Sequence, residues 1–240
     1  MATTSSGDLA KPADRPSARA KANTTRQGRG RRGQVGPEQV AEAAAKLFRE
    51  KGYHGTSMQD IADAVGIHKG SLYPHIRSKD ALLYQVINGS LQTTTQQLEA
   101  IAESSMSPLD KLREAVEGHI GSIVAHRDRV AVFLEASKYL SPARRRSALK
   151  QQRRYESLIE RILEEGVLAG QFRPCDAKVI SFAILGMSNW VYRWYSSKGK
   201  LKITDLAKIF AELALYGVVL PSAGDGLSSS PQVAAAPAES

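Results

Sequence analysis

Residues 56–79, TSMQDIADAVGIHKGSLYPHIRSK, carry the densest set of contact-making side chains in the chain. Lys69, Ser71, Tyr73 and His75 supply a cation, a hydroxyl, a phenol and an imidazole within seven residues. Such groups donate to phosphate oxygens and to base edges. Gly70 lets a backbone come close to a partner. Thr56 and Ser57 stand at a helix start, where hydroxyls and free backbone N–H groups suit a phosphate. Lys79 opens the next helix with another cation. A second segment, GMSNWVYRWY (186–195), sets Asn189, Trp190, Arg193 and Trp194 at helical spacing, an apolar wall with a polar end suited to a small ligand. Arg144, Arg145, Arg146, Lys150, Arg153 and Arg154 form a basic run that fits ligand phosphates or a solvated helix face.

The groups needed for enzyme chemistry are not patterned together. Cys175 lies in QFRPCD with no histidine nearby. His119 and His126 are seven apart and can share a helix face, but no third metal ligand is spaced with them. There is no GxSxG, no P-loop and no dinucleotide fingerprint. The expectation is no catalytic site, no metal and no cofactor.

The elements that position these residues read as helix after helix. Val40, Ala43, Ala44, Leu47 and Phe48 give one apolar face from Pro37 to a stop at Gly52. Thr56 with Gln59 predicts a capping box for a short second helix faced by Met58, Ile61, Ala62 and Val65. A third helix is predicted from His68 to about His75 after the Gly66 turn. Ser78 caps a fourth, running to about Glu103. Ser107-Pro108 and Ser141-Pro142 open the fifth and seventh helices, with a sixth from about Asp128 to Leu140. The eighth spans about Asp176–Ser196 and the ninth about Thr204–Leu220, stopped by Pro221. No strand alternation is seen, so the fold class is all-α. Helices two and three, joined by a tight glycine turn, make helix-turn-helix construction, whose second helix enters the major groove. Two helices and a glycine turn also occur in plain bundles, but a bundle has no need of an outward Tyr73 and His75 beside Lys69.

Length and charge agree with this organisation. The chain has 240 residues, 42% of them hydrophobic, and a net charge of +9. Eight Lys and Arg against two Asp fall in the first 35 residues, leaving the body nearly neutral. That reads as a disordered basic arm for a polyanion over 1–35. The Ser/Ala/Gly/Pro tail over 221–240 is also expected to be disordered. One cysteine excludes an internal disulfide framework. The apolar stretch between Lys178 and Arg193 is too short to span a membrane, and the N-terminus does not resemble a secretory signal. A cytoplasmic protein without a membrane partner is expected.

The stretch GTSMQDIADAVGIHKGSLYPHIRSKDALL resembles the DNA-binding signature of the TetR family of bacterial transcription regulators. The resemblance covers about residues 37–85, and the nine-helix layout extends it. It implies DNA contacts at Thr56, Ser57, Lys69, Gly70, Ser71, Tyr73, His75 and Lys79. Lys69 and Tyr73 are then the base readers and Lys79 the phosphate anchor. Three positions depart from the pattern: Pro74 and Ile76 stand where aromatics are usual, and His68 where a small cap is usual. Pro74 lacks a backbone donor and would end or distort the recognition helix. The resemblance also implies a C-terminal ligand cavity and a dimer built from the last two helices. The 186–195 segment is similar to members that respond to acyl-coenzyme A thioesters.

The expected organisation is therefore a DNA-binding domain over 36–85 and an effector-binding and dimerisation domain over 86–220. Asn189, Trp190, Arg193 and Trp194 are the expected ligand contacts. Phe182, Gly186, Leu206, Phe210, Leu213 and Gly217 are expected at the interface of a homodimer, because a helix apolar on two sides needs two partners. The expected function is a repressor released from double-stranded operator DNA by an acyl-coenzyme A or similar acid derivative. A drug-sensing repressor of an efflux gene and a non-specific architectural DNA-binding protein are the alternatives.

Overall fold

A computed structural model describes residues 35–74 and 76–219. The two tails expected to be disordered, apart from Val35, and His75 lie outside the described residues. Nine α-helices and two short 3-10 turns are described, and the one extended pairing is a single bridge between Phe172 and Val219.

Helix α1 (Pro37–Lys51) begins with proline at its first position and ends at Gly52, whose φ of 76° only glycine adopts at low cost. Helix α2 (Met58–Ala64) is capped one residue later than expected. Ser57 is the N-cap: its Oγ accepts from Asp60 N at 3.1 Å, and Ser57 N donates to the Asp60 carboxylate at 2.8 Å. Thr56 is instead 1% exposed, and its hydroxyl donates to the Leu47 and Gly52 carbonyls. The local pattern offered two adjacent hydroxyls; burial against the end of α1 took Thr56 out of competition.

The predicted third helix is shortened to a 3-10 turn, Lys69–Ser71, followed by one α-type bond from Ile76 N to the Leu72 carbonyl at 2.9 Å. Pro74 has no N–H to continue a ladder. Leu72 and Ile76 still reach the core, at 1% and 2% exposure.

Helices α3 (Lys79–Glu103) and α4 (Pro108–Ala125) start at Ser78 and Ser107, whose side chains cap them as expected. Then come α5 (Arg127–Ala136), the 3-10 turn Ser137–Tyr139, α6 (Pro142–Leu168), α7 (Ala177–Asn189), α8 (Val191–Trp194) and α9 (Ile203–Val218). The predicted eighth helix is thus broken at Trp190 into α7 and α8.

One apolar core joins Val40, Ala44 and Phe48 of α1 and Ile61 of α2 to Leu72, Ile76, Leu82, Leu83, Val86 and Ile87. It also takes in Val132, Ala136, Leu140 and Ala148 from α5, α6 and the connection between them. A second core gathers α4, α6, α7 and α9 around Ile159, Ile162, Leu163 and Phe172. The boundary expected at residue 85 falls inside α3, an unbroken helix that serves both cores. Among the described residues no helix is long and apolar enough to cross a membrane.

Candidate DNA-binding surface, effector cavity and self-association face

The turn after Gly66 presents Lys69, Gly70, Ser71 and Tyr73 to solvent, with Tyr73 47% exposed. Leu72 and Ile76, pointing inward, hold that turn on the core. A Cβ built at Gly70 would meet nothing within 4 Å, so the protein itself places no demand for glycine there.

Thr56, Ser57 and Lys79, also expected as contacts, are engaged within the chain, and His75 lies outside the described residues. Thr56 is buried, as described. The Ser57 hydroxyl and N–H are both bound by Asp60, whose carboxyl these bonds, with help from Lys51, hold well below the usual carboxylate range. Lys79 Nζ donates to the Tyr53 carbonyl at 2.9 Å and the Thr56 carbonyl at 2.8 Å, and lies 4.5 Å from the Tyr53 ring centre. It ties the start of α3 to the α1–α2 connection, so its first task is positional. Tyr53 in turn stacks on Tyr139 at 5.5 Å.

Below this lies a cavity of about 90 Å³. Five helices line it: Ile87, Ser90, Leu91 and Thr94 of α3; His119, Ser122 and Ile123 of α4; Arg129, Val130 and Phe133 of α5; Gln152, Tyr155 and Glu156 of α6; Leu185 and Asn189 of α7. Its polar end is His119, whose Nδ1 is 2.9 Å from the Tyr155 hydroxyl. Burial pushes the His119 imidazole down to about 4, against an opposing influence of Asn189, and pushes the Tyr155 phenol up. His119 is therefore neutral near pH 7. Its Nε2 closes no hydrogen bond; Asn189 lies beside it outside bonding geometry.

Of the expected ligand contacts, only Asn189 lines this cavity. Trp190 and Trp194 are 59% and 49% exposed. Arg193 stacks over Trp190 at 5.7 Å and pairs with Glu135 at 3.2 Å. The reason lies in α7. Its inward stripe is Ser181, Ile184, Leu185 and Ser188, while Trp190 follows Gly186 by four residues on the outward side. His119 was visible in the sequence only as half of an unconvincing metal pair, and Tyr155 only as a core position. His126 is exposed at the α4–α5 junction, and among the described residues no group of three metal ligands exists.

The basic run divides too. Arg144 pairs with Asp80, and Arg154 with Glu99 at 2.5 Å. Lys150, Arg153 and Arg154 line a surface cleft, while Gln152, Tyr155 and Glu156 from the same turns of α6 face the cavity.

Helices α7 and α9 each carry exposed apolar side chains on their outward sides. Val179, Phe182, Ile209, Leu213 and Tyr216 are exposed, Tyr216 by 84%, with Gly186 and Gly217 among them. Leu206 is not among them. At 2% exposure it packs within this chain, with Ile120 and Val191, and Phe210 is half-buried against the same cluster.

Residues 40–86 match the family model described as bacterial regulatory proteins, tetR family, and residues 105–218 match the tetracyclin repressor-like C-terminal domain. The chain is also 30% identical over 185 residues to the HTH-type transcriptional repressor KstR2 of Rhodococcus jostii, covering 76% of this chain and 91% of that one. This chain belongs to the TetR family. Solved TetR-family structures agree. PfmR from Thermus thermophilus superposes with a TM-score of 0.70 at 34% identity, over 74% of this chain and 97% of its own. AibR, in complex with isovaleryl coenzyme A and operator DNA, does so with a TM-score of 0.66 at 28% identity, over 74% and 96%. The protein is a DNA-binding transcriptional regulator, and the helix-turn-helix and C-terminal helical bundle are those of its family.

Proposed function

We propose that this TetR-family regulator is a homodimeric repressor released from its operator by a short acyl-coenzyme A thioester. The observation that carries the effector is the cavity: a largely apolar lining from Ile87, Leu91, Ile123, Val130, Phe133 and Leu185, with the neutral His119–Tyr155 pair, Asn189 and Arg129 as polar groups. An acyl chain suits the apolar part of the walls, and a thioester carbonyl suits a lining that offers hydrogen-bond donors, Arg129 among them. The volume of about 90 Å³ is well below the ~300–1,000 Å³ of drug-sized sites, which favours a short acyl group over a sterol or a lipophilic drug. The relative AibR, captured with a coenzyme A thioester and operator DNA, supports the same reading. Lys150, Arg153 and Arg154, on the outer side of the cavity-lining turns, are suited to coenzyme A phosphates.

On DNA, Lys69 and Tyr73 read bases, with Gly70 and Ser71 close to the backbone. Lys79 and Thr56 hold the motif in place. Two copies associate through Phe182, Gly186, Leu213 and Gly217, joined by Val179, Ile209 and Tyr216; large apolar side chains left exposed on two helices mark an interaction surface.

The test is fluorescence anisotropy on an operator recovered by in vitro selection. Isovaleryl-, octanoyl- and benzoyl-coenzyme A are titrated alongside their free acids. Release by a thioester, with the matching acid inert, is expected. Release only by lipophilic cations would overturn the assignment in favour of a drug sensor.

A further inference from the structure

One charged side chain belongs both to the cavity and to the DNA-binding core. Arg129, at the start of α5, lines the cavity and is 7% exposed. Its Nη2 donates to Glu38 Oε1 in the first turn of α1. That is its one side-chain hydrogen bond among the described residues. A guanidinium has five N–H donors, so beyond its bond to Glu38 this one has donors left for an acceptor in the space it borders. On the facing helix α3, a Cβ at Gly89 would come within 3.2 Å of Arg129 Nη1, so the absence of a side chain there leaves the guanidinium its room.

The pair is unequal. The Glu38 side chain is 70% exposed and the Arg129 side chain 7%. Glu38 can return to water at little cost, whereas Arg129, mostly withdrawn from solvent, gains more from a fixed acceptor. Arg129 borders an open cleft beside α1 as well as the cavity, and the cavity is where a ligand acceptor can be enclosed. Glu156 of α6, which also lines the cavity, already accepts from Gln152 at 2.8 Å, and its carboxylate opposes a second carboxylate more than it opposes a carbonyl.

We propose that Arg129 is a shared anchor. The carbonyl oxygen of a ligand in the cavity takes hydrogen bonds from its guanidinium and draws it from Glu38, and the hold of α5 on α1 is thereby loosened to the Arg49–Asp128 ion pair at 2.8 Å and the apolar packing between the two helices. The ligand class is an acyl compound with an uncharged carbonyl, and the inference rests on the cavity being the effector site. Cavity and operator are then coupled through one exchangeable bond between residues 91 apart in sequence. Because ligand and operator compete for the two positions of Arg129, each lowers the affinity of the other by the same factor.

The experiment uses the full chain and the selected operator, with Glu38→Gln, Arg129→Lys and the double variant. Glu38 is exposed, so Glu38→Gln folds. It is expected to lose about tenfold in operator affinity and to bind isovaleryl-, octanoyl- or benzoyl-coenzyme A about tenfold more tightly, by linkage. Arg129→Lys keeps the charge but not the planar fork, and the double variant is expected to bind operator no worse than the weaker single. Wild-type or tighter operator binding by Glu38→Gln overturns the proposal, as do two losses that add independently. If no thioester binds the wild type, the carbonyl anchor falls together with the effector class. A non-additive loss on the operator in that case still upholds the clamp between Arg129 and Glu38.

Discussion

The Phe172 ring lies over Gly166 so closely that a Cβ there would sit 2.0 Å from Phe172 Cδ2. Gly166 is in the last turns of α6, and Phe172 returns just after it to a site 1% exposed, where it also bridges to Val219. The glycine is needed for space, since its backbone is helical. Gly166→Ala gains up to ~1 kcal/mol of helix propensity, but overpacking of a filled core costs ~1–3 kcal/mol. A net loss of about 1 kcal/mol is expected where the ring cannot retreat. Thermal unfolding at fixed protein concentration checks it, and a Tm at or above the wild-type value would mean that the ring moves aside freely.

Recognition of DNA is separable from folding at the 69–73 turn. Lys69→Ala and Tyr73→Ala change exposed side chains and should leave stability unchanged within ~0.5 kcal/mol. Each should cost ~1–3 kcal/mol on the selected operator while weak, salt-sensitive binding to unrelated DNA persists. Gly70→Ala should fold normally, since nothing in the protein lies within 4 Å of the added Cβ, and weaken the operator complex. Competition anisotropy with specific and scrambled duplexes reads all three.

Lys79→Ala should behave differently. It removes two bonds to the Tyr53 and Thr56 carbonyls and a cation over the Tyr53 ring. Loss of about 1–3 kcal/mol of stability is expected together with weaker binding to all DNA. An unchanged Tm with weakened binding would make Lys79 purely a phosphate contact.

His119 gives the protein a defined acid sensitivity. Its imidazole titrates at about 4 when folded and near 6.5 when unfolded, so the unfolded chain binds the extra proton between those values. Stability is therefore full above pH 6.5 and falls as pH drops towards 4, by about 3 kcal/mol at most from this residue. His119→Gln should flatten that slope. Denaturant unfolding at a series of pH values measures it, and an identical slope in the variant would place the imidazole in contact with solvent.

Leu213→Asp should separate protomers without unfolding them. Leu213 is 59% exposed on α9, so a carboxylate there costs the single chain little but lies in the proposed interface. Sedimentation is expected to show monomers, with operator affinity reduced. Leu206→Asp, by contrast, places a charge in the chain's own core and should lower Tm sharply. A Leu213→Asp dimer would move the interface off α9.

Much of the fold was legible because its signals are local. Ser78 and Ser107 cap the helices they precede, Gly52 and Gly66 adopt the positive φ their positions require, and apolar spacing marks each long helix. The sequence by itself also identified the helix-turn-helix segment, whose outward Lys69 and Tyr73 follow from the inward Leu72 and Ile76. Choices between neighbours were left to the tertiary structure. Ser57 rather than Thr56 became the cap because the end of α1 offered Thr56 two carbonyls. Periodicity found two apolar sides on the eighth segment but could not say which met the cavity and which met solvent. The answer put Asn189 inside and Trp190 outside, since helical spacing is the same whichever way the helix is rolled. The cavity itself draws on five helices, and the Arg129–Glu38 bond joins residues 91 positions apart. No local pattern encodes such meetings; they exist only once the helices have packed.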